Sequence, residues 1–450
     1  MEPKFTLYIP IELKNRELAS QVALATKAAE LGIRTYIGTH FTIHTLLNYK
    51  PGVGGIYLDK GTLPVEKMQW LKSRCDGIVI LDQELGPTED NPLSALAEWP
   101  GRIYPHAVPF IDRYYCVGDF VYQSALHFFR ESQRPGVPRL TGWPRIDLWK
   151  LGSSKLQIKR VAKIKNKYGK FLLYTSSFGW LNEKAIDQDI KNSNKYQMTW
   201  DQQKAHFEIL SNFRDTVEAL RAWDANLDVP NIVVRPHISE SKGLWKSSLG
   251  NVNKTHIVHA GNVADWILAS EGVIHEGSTV ALEAHIRKKS VYFLDHESKY
   301  PVKKLPFALS EFVVSREQHP YGSKNSSRLK RNADTEFLVK SRVFSDEATS
   351  IGLILNDLND LWQTKEVKIS RASYLFKSLR LRSFRRIIGL MKWELLSKLR
   401  LTLSSPPSRT IGVFLRRKEF EDSINLIDSP HKVVLRRIAI NLWEISIDNF

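Results

Sequence analysis

Short apolar runs alternate with stretches of helical period through the first 150 residues, the pattern of a parallel sheet covered by helices. Phe5 to Ile11 reads as a strand. From Arg16 to Leu31 the apolar side chains Leu18, Val22, Ala25 and Ala29 fall on one face, which predicts a helix stopped by Gly32. Further strands are expected at Arg34 to Gly38 and Ile56 to Leu58, then a helix opening at Pro64. Gly77 to Leu81 is continuously apolar, as suits a strand buried on both faces.

The alternation resumes after residue 150. A lysine-rich helical stretch, Lys155 to Lys170, precedes a strand at Phe171 to Tyr174, and Gln202 to Trp223 is helical by period. Strands are expected at Asn231 to Val234 and Val291 to Leu294, and Ile274 precedes a helix from Thr279 to Arg287. Residues 315–335 are polar and aperiodic and read as a loop. The expectation is an α/β protein with two doubly wound, Rossmann-like domains, 1–150 and 151–364, facing across a cleft, and a basic extension, 365–450. Ligands of such sheets bind beyond the carboxyl ends of the strands.

Composition changes this picture in two places. With 42% hydrophobic and 25% charged residues the 450-residue chain is neither disordered nor fibrous. The net charge of +17 is concentrated: residues 365–450 hold 18 Lys and Arg against 8 Asp and Glu. Two cysteines, Cys75 and Cys116, make no disulfide framework and suit a reducing compartment. Residues 1–5 lack the apolar core of a leader, and no window approaches 18 apolar residues, so a cytoplasmic protein without a helical span is expected. By the same reasoning the Asn253 and Asn325 sequons are not expected to carry glycans.

Two segments carry the chemistry. In Val273-Ile-His-Glu-Gly-Ser-Thr-Val-Ala-Leu-Glu-Ala284 a strand runs into Gly277, Ser278 and Thr279, and the helix that follows starts with free N–H groups suited to an anion. Ser278 or Thr279 can cap that helix, Gly277 allows close backbone approach, and Glu283, a turn inside, could take ribose hydroxyls; an ordinary capped helix is the competing reading. In Ile232-Val-Val-Arg-Pro-His-Ile-Ser239, Arg235 and His237 stand at a strand end about 40 residues upstream, a fork and an imidazole that suit a diphosphate or nucleotide leaving group. Tyr174-Thr-Ser-Ser-Phe-Gly179 adds two hydroxyls, Ser176 and Ser177, in a phosphate-facing turn, or a hydroxyl-rich loop.

Arg235-Pro-His237 with Glu276 to Ala284 resembles the donor-binding half of two-domain, GT-B type glycosyltransferases. Ile9-Pro-Ile-Glu12 with Arg16-Glu17, Asp82-Gln-Glu84 and Thr141-Gly-Trp-Pro-Arg-Ile-Asp147 resemble the bacterial surface carbohydrate biosynthesis proteins, distantly similar to capsule and lipopolysaccharide Kdo transferases. The resemblance spans roughly residues 5–300. It implies transfer of a sugar from a nucleotide donor to a surface polysaccharide or lipid-linked glycan; a polyol-phosphate transferase or nucleotide-sugar epimerase on the same fold, or a non-catalytic assembly subunit, are the competing readings, because phosphate-binding turns do not specify which bond breaks. The order Pro236-His237, where those transferases carry His-Pro, leaves the donor base open between CMP and UDP.

Glu12 and Glu84, each after a strand of the first domain, are the candidates for the catalytic carboxylate. Glu12 could instead pair with Arg16, and Glu84 could cap a turn. His106, Asp112 and Arg113 are candidates for an acceptor wall. There is no Asp-X-Asp triplet and the histidines make no metal spacing, so neither metal nor cofactor is expected.

Residues 368–400 hold ten Lys and Arg and one acid, Glu394, with apolar side chains every three or four positions. Such a segment could lie on an anionic inner membrane surface, pack on the body of the enzyme, or bind nucleic acid. Peripheral membrane contact is the expectation, and nucleic acid is not.

Overall fold

In this computed structural model the described residues are 3–49, 54–82, 92–151, 155–179, 200–237, 240–296, 304–320, 327–328, 341–343, 349–365, 415–427, 429–439 and 441–447. The chain forms two units, Met1–Ser154 together with Lys340–Phe450, and Lys155–Val339.

The first unit is built on six parallel strands, β1 (Thr6–Ile11), β2 (Arg34–Thr39), β3 (Ile56–Asp59), β4 (Gly77–Leu81), β5 (Arg113–Cys116) and β6 (Pro138–Leu140), in the order β2-β1-β3-β4-β5-β6. All five residues of β4 are buried, as its unbroken apolar run requires. The helix Lys14–Glu30 buries Leu18, Val22, Ala25 and Ala29 against the sheet. The strand order reverses between β1 and β3, and that is where an open α/β sheet leaves a crevice at its carboxyl edge.

The second unit holds β7 (Phe171–Thr175), β8 (Asn231–Arg235), β9 (Thr255–Ile257), β10 (Gly272–His275), β11 (Ser290–Leu294), β12 (Phe312–Val314) and an antiparallel edge strand, β13 (Ser327–Arg328). Its parallel strands run β12-β11-β10-β7-β8-β9, the Rossmann order, with the reversal between β7 and β10. Phe213, Leu220, Trp223 and Trp245 pack on one face of this sheet. The α/β, Rossmann-like architecture expected from the apolar pattern is therefore present in both units.

The division of the chain differs from the expected boundaries at 150 and 364. The helix Ser350–Gln363 belongs to the first unit: Ile351, Ile354, Leu355, Leu358 and Leu361 join the core that contains Val22 and Ile37. Residues 415–447 are not a detached extension either. Strand β15 (Leu442–Ile447) pairs antiparallel with β2, and β14 (Val433–Ala439) pairs with β15, which makes the first sheet eight-stranded. Phe420, Trp443 and Ile445 are buried in the same core, each worth about 1.5–3 kcal/mol of hydrophobic stabilisation. Apolar burial thus overrides the charge boundary on which a separate extension was expected. The basic stretch 368–400 and most of the loop expected at 315–335 lie outside the described residues.

Candidate functional site

The register of the second sheet aligns Thr175 of β7 with Arg235 of β8 on one side and with His275 of β10 on the other. The segments that follow, 176–179, 236–237 and 276–279, therefore emerge side by side at the carboxyl edge, around the point where strand order reverses. The three motifs singled out in the sequence are brought together here.

Their hydrogen bonds show how the edge is built. The Glu276 carboxylate accepts from the Tyr174 hydroxyl, from Ser177 N at 2.7 Å and from Ser177 Oγ at 3.2 Å. Glu240 accepts from Ser176 Oγ at 2.5 Å, Trp245 Nε1 at 2.8 Å, Phe178 N at 2.9 Å and Gly179 N at 3.1 Å. Ser176 Oγ in turn accepts from His237 N at 2.9 Å, which ties the β7 and β8 loops together. Where the sequence suggested a phosphate-facing turn at Ser176 and Ser177, two of the protein's own carboxylates take its N–H and O–H donors. Burial pushes the half-buried Glu276 carboxyl up to about 7, against the hydrogen bonds from Tyr174 and Ser177.

His275 sets the next turn. It is fully buried; its Nδ1 accepts from Gly277 N at 3.0 Å and its Nε2 lies 3.0 Å from Ser310 Oγ, which donates to Pro306 O at 3.1 Å. Burial lowers this imidazole to about 3, so it is neutral, with its proton on Nε2 by the logic of the network. Gly277 has φ +130, a conformation side chains disfavour. After it, the buried Ser278 Oγ accepts from Val280 N at 3.3 Å, while Thr279 is exposed and makes no side-chain cap. The backbone N–H groups of Ser278 and Thr279 have no hydrogen-bond partner among the described residues.

Two further candidates carry structural bonds. The Arg235 fork donates to Ala260 O at 2.8 Å and Gly261 O at 2.6 Å, so it clamps the loop after β9 rather than standing open for a phosphate, and burial lowers it to about 10. Glu283 accepts from Arg287 Nε at 3.0 Å one turn along its helix. His237 is exposed. Glu240 was missed in the sequence. Its signal was weak: an acid just before the N-cap Ser241, whose Oγ accepts from Leu244 N.

In the first unit Glu12 follows β1 and Lys60 follows β3, either side of that sheet's reversal. The Lys60 ammonium pairs with the Glu12 carboxylate, and Arg16 is not its partner. Glu17 accepts from Glu12 N at 2.8 Å and lies 3.8 Å from Lys60; burial raises its carboxyl. Glu84 lies outside the described residues. Trp143 Nε1 donates to Asp82 O at 2.6 Å, which joins two of the motifs, and Asp147 accepts from Ser350 N and Ile351 N at 3.1 and 2.8 Å, capping the helix Ser350–Gln363. Asp112 is held by Lys72, Lys365 and Ile78 N, and Arg113 by Asp357. These two are framework, not an acceptor wall. Among the described residues no group of three His, Cys, Asp or Glu could hold a metal ion, and no helix is long and apolar enough to cross a membrane.

No family model and no curated protein matches the chain. Among solved structures it is similar to the S. aureus MnaA–UDP co-structure, with 12% identity and a TM-score of 0.41, over 89% of this chain and 99% of that one. It is also similar to the UDP-GlcNAc 2-epimerase of Methanocaldococcus jannaschii in complex with UDP-GlcNAc and UDP, with 11% identity and a TM-score of 0.45, over 79% of this chain and 99% of that one. A variant of the wall teichoic acid polymerase TagF is a third, with 12% identity and a TM-score of 0.39, over 81% and 90%. Likeness at this level assigns no chemistry to the chain.

Proposed function

We propose that the chain is a nucleotide-sugar-dependent glycosyltransferase of GT-B type whose second unit binds the donor at the carboxyl edge of β7, β8 and β10. One observation carries this: Ser177 and Glu276, 99 positions apart in sequence, meet at 2.7 Å beside the strand-order reversal, with Gly277-Ser278-Thr279 next to them. In this reading the N–H groups of Ser278 and Thr279 take the donor phosphate and Glu283, held by Arg287, takes ribose hydroxyls. Arg235 and His237 shape the edge, the one through the Ala260–Gly261 loop and the other through Ser176. The sugar moves to a surface polysaccharide or lipid-linked glycan, and the basic stretch 368–400 keeps the enzyme at an anionic inner membrane surface.

The test is thermal stabilisation by UDP, CMP and their sugars. The expected outcome is a rise in Tm with one of these nucleotides, lost in Thr279→Pro, which removes one of the two N–H donors at a φ of −64 that proline adopts, and weakened in Glu276→Gln. No shift with any nucleotide, or a shift that these variants leave intact, removes the donor site. Flotation with vesicles containing anionic lipid tests the membrane contact.

Glu276 favours one other reading. A half-buried carboxyl near 7 can take and return a proton at neutral pH, as an epimerase acting on a nucleotide sugar requires. Product analysis separates the two, since epimerisation leaves the nucleotide attached and transfer releases it.

A further inference from the structure

The first helix of the second unit, Lys155–Tyr168, carries five Lys, one Arg and no acid in 14 residues. Its inner face is fixed by polar bonds and rings. Gln157 Nε2 and Arg160 Nε donate to the buried Asp265 carboxylate at 3.1 and 2.6 Å, and Tyr168 lies against Phe171, His256 and Trp266. That orientation leaves all five lysines exposed, with Ile158, 56% exposed, among them.

Such a face works against the stability of its own helix. Lys155, Lys159, Lys163 and Lys167 recur at every fourth position, so three like-charge pairs repel one another along about 18 Å of helix. The charge of Lys165 adds to the burial that lowers the Lys289 ammonium, with Glu271 opposing both. None of the five lysines is ion-paired among the described residues; Lys167 lies 5.1 Å from the Tyr168 ring centroid. One acid in the stripe would relieve the repulsion, and a helix that merely faces water gains by mixing both signs. An exposed isoleucine set among lysines on a helix is instead the composition of a surface that meets lipid headgroups. Nucleic acid suits the face less well, since Arg160 is turned inward to Asp265 and no aromatic ring stands among the exposed side chains for a base to stack on.

We propose that the outer face of the helix Lys155–Tyr168 is a second membrane-contact surface: its lysine ammonium groups lie among the anionic headgroups of a bilayer, and Ile158 reaches the boundary with the acyl chains. Each lysine near an anionic leaflet strengthens partition by about fivefold, so five of them give a contact that is firm at low salt and released at high salt. This surface rests on the membrane part of the function proposed above, but it belongs to the second unit, whereas 368–400 falls within the sequence of the first.

The full chain is floated with vesicles of equal parts phosphatidylcholine and phosphatidylglycerol. Combined Lys155→Gln, Lys159→Gln and Lys163→Gln should weaken partition by about 10²-fold, and Ile158→Ser should weaken it while leaving its salt dependence unchanged. Lys159→Glu should weaken partition by about tenfold or more while Tm holds or rises, because an acid at that position meets a lysine four residues away on either side. A helix with a purely structural role would show the same Tm and no loss of partition. Wild-type partition in the triple variant overturns this surface; if neutralising the Lys and Arg of 368–400 then abolishes flotation, the contact proposed for that stretch stands. Equal flotation with phosphatidylcholine alone, or retention on duplex RNA at a salt concentration that strips the chain from the anionic vesicles, also overturns it. A wild-type chain that does not float overturns both membrane contacts and leaves the donor site untouched.

Discussion

His275 and Glu276 are adjacent in sequence and respond to pH in opposite directions. His275 is held at about 3 in the fold against roughly 6.5 in an unfolded chain, so between those values only the unfolded chain takes the proton. The stability it confers is complete above pH 6.5 and is lost as pH falls, by about 1.4 kcal/mol for each pH unit. Glu276, raised to about 7, binds its proton more tightly in the fold, so its contribution declines as pH rises from about 4.5 to 7. Melting curves between pH 5 and 8 should therefore show the acid-side loss become shallower in His275→Gln and steeper in Glu276→Gln. At pH 7.5 His275→Gln should also cost about 1–3 kcal/mol, because Gly277 N and Ser310 Oγ lose their buried partner.

At the scale of elements, two contacts fix how the C-terminal segments join the first sheet. The Asp147 carboxylate takes two N–H groups at the start of the helix Ser350–Gln363, and Asp147→Ala should cost about 1–2 kcal/mol in a denaturant melt. Strand β15 enters beside Gly38, where an added Cβ would stand 2.7 Å from Asn441 O and 2.6 Å from Thr42 Oγ1. Asn441 is itself constrained, with φ 60, its carbonyl accepting from Thr42 Oγ1 and its Oδ1 from Leu415 N. Gly38→Ala must push backbone apart and should cost about 1–3 kcal/mol, read in the same melt. Strands β4, β8 and β10 were legible in the sequence because each is a bounded apolar run. Strand β15 was not, since its partner β2 lies some four hundred residues upstream and no local period records that pairing. The donor edge was legible as three motifs, but not its wiring. A lone Glu240 shows nothing in sequence of the four donors that surround it.

For the whole molecule, the chain leaves the first unit near Ser154, builds the second, and returns near Lys340. The return is structural, because Leu358, Phe420, Trp443 and Ile445 close the core over Val22 and Ile37. A protein stopped after Lys365 should therefore lose the cooperative unfolding of its first unit in calorimetry, with buried faces of the Lys14–Glu30 helix left open to dye binding. Charge alone had set residues 365–450 apart, whereas burial divides them: 415–447 complete a sheet.

One result of this wiring concerns the stretch between Lys365 and Leu415, since the chain on both sides of it is fastened to the same unit. A protease that cuts once inside the stretch would produce two fragments, yet neither would be released. They would co-elute on a native column and separate only in denaturant, as though the backbone had been hinged without being parted.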